Sequence, residues 1–449
     1  MSLSSYKISQ VSSLPQTAPT LVPGPYPQQQ QKSPKAQRSC SSLNFLRAIA
    51  PWLLFMPGLG SLYPAHPQSP SGGGQNSPGQ QLSGQYEVPQ GINIQHCIET
   101  QEWSPGGDNQ APYSSQTKFD LPLSSASLFL IARGPQSGGA VDITTSSEQA
   151  QGSVSFSVVV SYSRQDFRDS SKVCRVVRGN GENGVGIFTP ENLNNNGNGQ
   201  LNFHTTITLP EVPAGSGPLP VQKLETDVPN TSHSVGDLRQ KVSFDAIALF
   251  GSNQGINVQS LSAITGIFRT SNGAITGDFD ASSALSLLTS NSPIKVNVGL
   301  KNDNNGTQSK LVVRTSNSPL QAAINLSSTS GGGSFGVTTT TSNGQLQVSF
   351  PAAPVDSKLQ LVASTTNSPA HVSLPPAYEG SFSLSSSPFS APSLNQLNPP
   401  DPSGRGRQRT VQHYQVGGGQ LNGNVSWGGD RGQGTVSVRT TLSPSTLDV

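Results

Sequence analysis

Few residues in this sequence have the types and spacing that catalysis requires. Asp278 and Asp280 alternate along a strand-like run and would face the same side, where two carboxylates can act as general acid and base. Such a site also needs a third polar partner and a cleft, which the sequence does not indicate, so a solvated strand face is favoured. His96 and Cys97 are neighbours, but adjacency alone does not make a nucleophile–base pair. We therefore predict no catalytic residue and no enzyme.

The glycine-rich and acidic segments do not match a cofactor or metal site either. Residues 179–184 spell GxGxxG, but neither a helix nor a βαβ unit follows, so this segment is a glycine turn. The run NDNNG at 302–306 hints at a calcium loop, yet its first position would be Lys301 and no glutamate follows at the twelfth. We expect no cofactor and no metal.

The composition restricts the class of protein and its partners. Charged residues make up 11% of the 449 residues, and the formal net charge is +2. In globular domains about a quarter of the residues are usually charged. The polar residues of this chain are instead mainly the uncharged Ser, Thr, Asn and Gln. This balance gives no electrostatic footprint for nucleic acid, so we expect no nucleic-acid partner.

The first 85 residues differ in composition from the rest of the chain. Residues 1–43 are rich in Ser, Pro and Gln, and we expect a disordered tail because they cannot bury enough apolar surface to offset their ordering entropy. Residues 44–64 form a short apolar segment, and residues 65–85 form a Gly/Ser/Pro/Gln linker.

Residues 44–64 are the segment through which the chain would associate with a membrane. The apolar stretch is shorter than the ~20 residues that span a bilayer, and prolines interrupt it. It is either a degenerate signal anchor or an apolar patch in the tail, and the sequence leaves both open. Basic residues precede it, which would keep the N-terminus in the cytoplasm after insertion. We favour a membrane-associated protein with an extracellular C-terminal domain over a cytoplasmic one.

Three further groups of side chains have open roles. Cys97 and Cys174 form a disulfide if the compartment oxidises, and otherwise are two buried thiols. Arg405, Arg407 and Arg409 share a strand face or lie in an open loop; solvation or internal pairing is favoured over an anionic glycan or lipid ligand. Four sequons are glycosylation acceptors only if the domain reaches the secretory lumen: Asn230, Asn305, Asn325 and Asn424.

From about residue 86 the sequence predicts β-strands throughout. Strand-like runs at 117–123, 127–133, 153–163 and 201–209 are rich in branched or aromatic residues and are bounded by turn formers. A corner motif that reads SNQG, TSNG, TSNS or TTNS then recurs at intervals of 19 to 26 residues, which is typical of stacked repeats. Its central residues are Asn253, Asn272, Asn291, Asn317, Asn343 and Asn367.

The residues around each asparagine predict a strand on either side of a corner. Apolar residues or Thr alternate with polar ones before it, as at Leu311 and Val313, and again after it, as at Leu346 and Val348. A coil of two strands is too thin to bury its apolar face alone, so successive coils must stack about 4.8 Å apart. Stacking would align the asparagines in an amide ladder, which makes them structural residues.

Two details of the stack follow from the same pattern. We expect Gly255, Gly273 and Gly344 to adopt left-handed dihedrals at their corners. The C-terminal run TLSPSTLDV is a last, degenerate copy that we expect to close the stack. The predicted fold is therefore all-β, with a stacked-repeat, β-solenoid-like domain at about residues 236–449. A β-rich sandwich-like or capping region at 86–235 precedes it.

Several long motifs resemble an uncharacterised family of fungal proteins, found mainly in mushroom-forming fungi. They are residues 119–143, GENGVGIFTP at 181–190, the repeated TSNG and TSNSP, PPAYEGSFSLSSSPFSAP at 375–392 and DPSGRGRQRT at 401–410. The resemblance covers about residues 92–449, and the repeat part is similar to bacterial adhesin-like domains of β-solenoid fold. It implies a Pro-rich tail, one membrane helix and this domain outside the cell. It transfers no active site.

Two classes of function are compatible with these observations. The first is a non-enzymatic, adhesin-like surface protein, in which stacked strands give a stiff, neutral, polar scaffold or binding face. The second is a polysaccharide-active enzyme, which would gather acidic, basic and aromatic side chains on adjacent coils. The repeats contain few of each, which favours the first, while an intracellular member of the family is a further alternative. The expected partners are a glycan, or a second copy through exposed strand edges, with a membrane through residues 44–64.

Overall fold

The computed structural model describes residue 82 and residues 85–106, 113–179, 181–193, 199–213, 215–303, 306–387, 389–429 and 432–449. The predicted tail, the apolar segment at 44–64 and most of the linker lie outside these residues. The described part is almost entirely β-structure, as predicted. Its helical elements are a turn of 3-10 helix at Thr100–Glu102 and a short α-helix, α1, at Gln165–Ser170.

The strands divide into three groups along the chain. Those before residue 251 are Asn93–Cys97 (β1), Ser104–Pro105 (β2), Tyr113–Pro122 (β3), Ser127–Arg133 (β4), Gly139–Ser146 (β5), Ser153–Tyr162 (β6), Lys172–Arg178 (β7), Glu182–Phe188 (β8), Leu201–Pro210 (β9), Leu219–Asp227 (β10), Thr231–Asp237 (β11) and Val242–Phe250 (β12). Those of the repeats are Ile256–Arg269 (β13), Ile275–Leu288 (β14), Ile294–Lys301 (β15), Ser309–Arg314 (β16), Leu320–Ser327 (β17), Ser334–Thr340 (β18), Leu346–Ala352 (β19), Lys358–Ser364 (β20) and Ala370–Ser373 (β21). The remaining ones are Gly380–Ser385 (β22), Ser393–Asn395 (β23), Arg409–Val416 (β24), Gln420–Trp427 (β25), Gly434–Arg439 (β26) and Ser445–Asp448 (β27).

Strand pairing produces two long sheets, which the long strands β13 and β14 join by running through both. Sheet 1 has the order β1-β7-β8-β4-β10-β12-β13-β14-β16-β18-β20-β26-β22-β25-β24. Sheet 2 has the order β2-β3-β6-β9-β5-β11-β13-β14-β15-β17-β19-β21-β27-β23. Between β8 and β22 in sheet 1, and between β9 and β23 in sheet 2, every pairing is parallel, as stacked coils require.

Each coil places one strand in sheet 1 and the next in sheet 2, with the asparagine corner between them. The inward side chains of both sheets form one apolar core that runs along the stack. Leu311, Val313, Leu346 and Val348 are all at most 1% exposed, which confirms the predicted inward positions. Parallel stacking begins at β8 and β9, so the coils extend further toward the N-terminus than residue 236.

Two details of the stack differ from the sequence prediction. The last copy, β26 and β27, does form a coil, but β22 and β23 lie beyond it and antiparallel strands continue sheet 1 outward. Glycines 255, 273 and 344 do not adopt positive φ. A Cβ atom at Gly273 would instead lie 1.8 Å from the carbonyl oxygen of Gln254 in the preceding coil. Close approach of two backbones is therefore the reason for glycine there.

One ionisable side chain is sealed inside the core. His233 on β11 is 2% exposed, and its Nε2 lies 2.7 Å from the Thr226 hydroxyl of the preceding strand. Its Nδ1 has no hydrogen-bond partner among the residues that the structure describes. Burial lowers the pKa of His233 from 6.5 to about 4. Between about pH 4 and pH 6.5 this imidazole is therefore neutral in the folded protein and protonated in the unfolded chain.

Because His233 is buried, the free energy of unfolding should fall in acid over a defined pH range. Because the folded pKa lies below the unfolded one, the contribution to stability is complete above pH 6.5 and is lost as the pH falls toward 4. The loss is about 3 kcal/mol. The double variant Thr226→Val/His233→Leu removes both polar groups and should flatten the free energy of unfolding over this range, measured by urea denaturation. An unchanged slope in the double variant would contradict the assignment.

Candidate functional site

The six predicted corner asparagines are brought together in one exposed row. Each donates its side-chain N–H to the side-chain oxygen of the asparagine one coil earlier, over 2.5–2.8 Å. Asn253, the first of the six, donates to Asn230, which the repeat motif does not include. Asn230 lies in the sequence VPNTS, so only its position relative to the next coil could have indicated a seventh rung. We call this row the asparagine ladder.

The corner is also tied to its neighbour through buried threonines and the backbone. Thr289 donates its hydroxyl to the carbonyl of Gly273 at 3.0 Å, and Thr315 does the same to that of Ser292 at 3.0 Å. The backbone N–H groups of the asparagines bond the preceding coil as well, as from Asn291 to Ser271 at 2.9 Å. Each amide from Asn253 to Asn343 therefore uses one donor and one acceptor in bonds between coils, which makes the ladder part of the scaffold.

The ladder stops at Asn367 because the next coil carries Leu442 at the equivalent position. The backbone N–H of Leu442 donates to the carbonyl of Thr366 at 2.9 Å, and the hydroxyl of Ser443 donates to that of Asn367 at 2.9 Å. These bonds repeat those of the earlier corners, so the geometry for another rung is present. The Leu442 side chain itself is 65% exposed.

Leu442→Asn should therefore extend the asparagine ladder by one rung. We expect the new amide to donate to the Oδ1 of Asn367 and to raise the free energy of unfolding by about 0.5–1.5 kcal/mol. Leu442→Ala is the matched control, since it removes the exposed apolar side chain without adding an amide. Equal stability of the two variants in urea denaturation would show that the ladder position adds nothing.

The structure joins Cys97 and Cys174 in a disulfide between β1 and β7, with the sulfur atoms 2.08 Å apart. The two cysteines are direct neighbours across the antiparallel pair and are buried in a small second core cluster. The bond fastens β1, the first strand of sheet 1, through the last residue of that strand. Disulfides form and persist in oxidising compartments.

The four sequons lie in different surroundings. Asn230 is half-buried at the first rung of the asparagine ladder, Asn325 is exposed on β17, and Asn424 is half-buried on β25. Asn305 lies outside the described residues. Neither Asn325 nor Asn424 is part of the asparagine ladder.

Asp278 and Asp280 acquire a basic partner in the structure. Arg239 lies 2.9 Å from the Asp280 carboxylate and 3.8 Å from that of Asp278, and the side-chain N–H of Asn297 donates to Asp278 at 2.7 Å. Burial raises the pKa of Asp280; the Arg239 charge opposes this rise, and the Asp278 charge adds to it. Arg239 lies some 40 residues before this pair in the chain, and no motif in the sequence identifies it as the third polar group.

The three C-terminal arginines do not share one solvated face. Arg407 makes ion pairs with Glu379 at 2.9 Å and Asp401 at 3.2 Å, so it pairs internally, as favoured. Burial opposes ionisation of Asp401, but hydrogen bonds from the backbone N–H groups of Arg407 and Ser403 hold its pKa well below the usual range. Arg409 lies on β24 over the Trp427 ring. The cluster anchors the loop that leads into β24.

A surface that the sequence does not indicate is formed at the C-terminal end of sheet 1. Strands β20, β26, β22, β25 and β24 lie side by side, and their outward side chains align in cross-strand rows. We call this surface the polar face, and its first two rows are Gln360–Thr435–Ser381–Asn424–Gln412 and Val362–Ser437–Ser383–Asn422–Tyr414. The third row is Ser364–Arg439–Ser385–Gln420–Val416.

The polar face is concave and almost uncharged. Its first two rows, together with Arg439, line an open cavity of about 720 Å³. The polar side chains of the lining are mainly hydroxyls and carboxamides, Arg439 is its one residue with a permanent charge, and Tyr414 is 63% exposed at its rim. Such a surface offers many neutral donors and acceptors and one aromatic face, but no acid–base pair.

Comparisons with known proteins add little to this geometry. No family model matches the chain, and no curated protein matches it. Among solved structures it is similar to the crystal structure of a "putative cell adhesion protein" from Clostridium sporogenes, at 11% identity and a TM-score of 0.16. The alignment covers 74% of this chain and 99% of that chain. Similarity at this level does not define a function.

Two general features concern membranes and metals. No helix in the described ranges is long and apolar enough to cross a bilayer. Within the same ranges, no group of three or more His, Cys, Asp or Glu side chains is arranged to hold a metal ion.

Proposed function

We propose that this protein is a non-enzymatic, adhesin-like scaffold that binds neutral glycans on its polar face. The observation that carries the proposal is the set of aligned hydroxyl and carboxamide rows across five strands, with Tyr414 at the rim. Sugars present dense neutral hydroxyls and weakly apolar ring faces. Carboxamides can donate and accept toward the hydroxyls, and an exposed aromatic ring packs against the ring face.

The spacing of the polar face suits an extended, repeating ligand. Adjacent strands lie about 4.8 Å apart, so equivalent side chains recur along each row at that interval. A polysaccharide lying along a row would meet a similar set of donors and acceptors at successive sugar residues. Backbone pairing between the five strands keeps the rows in register, which limits the backbone ordering that binding would otherwise require.

We place this scaffold at the cell surface, with the described domain outside. The buried disulfide supports an oxidising compartment, and the fungal family that the motifs resemble implies the same topology. Residues 44–64 would serve as the membrane anchor in this proposal.

A glycan-binding assay tests the proposal. Residues 86–449, produced without N-glycosylation so that Asn424 is bare, should bind neutral polysaccharides on a glycan panel without releasing reducing sugars. Tyr414→Ala should weaken this binding by roughly tenfold, equivalent to about 1.4 kcal/mol. Tyr113→Ala, at an exposed tyrosine on β3, is the matched control and should bind normally. Release of reducing sugar, or equal binding by both variants, would contradict the proposal.

A polysaccharide-active enzyme is the second candidate, and one observation favours it. Asp280 has a raised pKa beside Asp278 and Arg239, which is an arrangement that can supply a general acid. In that case sugar release would be measurable and Asp280→Asn would abolish it. Asp245→Asn, at an exposed aspartate on β12, would leave the release unchanged.

A further inference from the structure

The four ends of the two sheets are protected unequally. Sheet 2 ends in strands of two and three residues, β2 and β23. Sheet 1 begins with the five-residue β1, which is irregular in its pairing and fastened by the disulfide. At its other end lies β24, an eight-residue strand that pairs with β25 alone among the described strands. Short strands are one way in which proteins prevent edge-to-edge pairing, and β24 lacks this protection.

The register of β24 identifies the backbone groups on its free edge. The N–H of Gly428 donates to the carbonyl of Gln408 at 3.0 Å, so these two residues are a hydrogen-bonded antiparallel pair. Bonded and non-bonded pairs alternate along such a ladder. Residues 410, 412, 414 and 416 therefore bond β25, while Arg409, Val411, His413 and Gln415 direct their N–H and C=O groups away from the sheet.

The side chains around this edge do not guard it. Lysine, proline and inward-pointing charges are the usual protection, and β24 carries one charge, Arg409, at its first position. That guanidinium is engaged with the Trp427 ring and donates to the carbonyl of Leu397 at 3.1 Å. Three large apolar side chains flank the edge and are about half or more exposed: Leu397, Tyr414 and Val416.

We propose that β24 pairs antiparallel with β24 of a second copy of this chain, so that sheet 1 continues across a two-fold axis. Pairing one edge with itself satisfies the same outward N–H and C=O groups on both copies, as an isologous interface does. Antiparallel pairing also sets the two Arg409 residues at opposite ends of the shared ladder. The two Arg409 charges are therefore far apart when β24 pairs with itself. A basic partner strand would instead bring further positive charge to this edge, so a second copy is favoured.

The two-fold geometry restricts the register. Directly opposed residues must face the same side of the sheet, so the axis passes through a residue and not between two. The two β24 strands overlap over the greatest length when that residue is 412 or 413. With the axis at residue 413, His413 would lie opposite His413 of the second copy. With the axis at residue 412, Gln415 would lie opposite Arg409 of the second copy. In both cases the polar faces of the two copies join, which would make glycan binding bivalent if the proposed function holds. The pairing itself does not depend on that function.

The oligomeric state of the full chain tests this inference. We expect light scattering after size exclusion to give about twice the chain mass of 46.8 kDa. His413→Pro removes an N–H from the free edge while leaving the bonds to β25 intact. The second variant, His413→Lys/Gln415→Lys, places like charges opposite each other in either register. Both should yield monomers, with the dimer dissociation constant raised at least about tenfold.

Gln360→Ala is the matched control, since it changes the same row of the polar face on β20, four strands away from the free edge; it should remain dimeric. Unchanged thermal midpoints of the monomeric variants at low concentration would show that they fold. A wild-type monomer, or a dimer that both edge variants leave intact, would overturn the inference. So would slow hydrogen exchange at residues 411, 413 and 415 in a monomer, because another segment of the chain would then cover the edge.

Discussion

The hydrogen bonding between successive Thr–x–Asn corners is the constraint on which the rest of the structure depends. A single coil of two strands cannot bury its apolar side chains, so it is stable only when its neighbours lie in the correct register. Three kinds of hydrogen bond at the corner fix that register. They come from the buried threonine hydroxyl, the backbone N–H of the asparagine and its side-chain amide. Once the corners coincide, the inward positions of both sheets coincide as well.

This constraint also explains why, in the repeats from β13 to β21, loop length varies on one side of the stack only. The asparagine corners lie where sheet 1 leads into sheet 2, and their geometry is repeated closely from coil to coil. The return connections from sheet 2 to sheet 1, such as residues 302–308 and 328–333, absorb the extra residues that lengthen the later repeats. The chain thus keeps one edge of the stack uniform and lets the opposite edge vary.

The sequence predicted the local and periodic features well. The fold class, the inward residues such as Leu311 and Val348, and the alignment of the corners all follow from a period of two within strands and a repeat between corners. The motif does not identify Asn230 as a rung, because its corner, VPNTS, retains the position of the asparagine but not the residues around it. Glycine was expected to provide positive φ, whereas at Gly273 the absence of a Cβ atom is what the neighbouring backbone requires.

The non-local features could not be read from the sequence. The insertion of β26 between β20 and β22 places the last repeat inside the stack, although residues 380–427 precede it in the chain. The polar face depends on that pairing, because Ser381 meets Thr435 on one side and Asn424 on the other. Alternating polar residues mark each strand separately, but no periodicity shows which strands are neighbours. The centre of the stack is therefore predictable as scaffold, and its terminal surfaces are not.

The most direct test of this account compares two alanine substitutions within the asparagine ladder. Asn291→Ala removes an interior rung and with it two amide bonds, whereas Asn367→Ala removes the terminal rung and one. If the amides hold the coils in register, urea denaturation should show a loss of about 1–3 kcal/mol for the interior variant, roughly twice that of the terminal one. Losses that are equal, or that are both close to zero, would contradict the central claim.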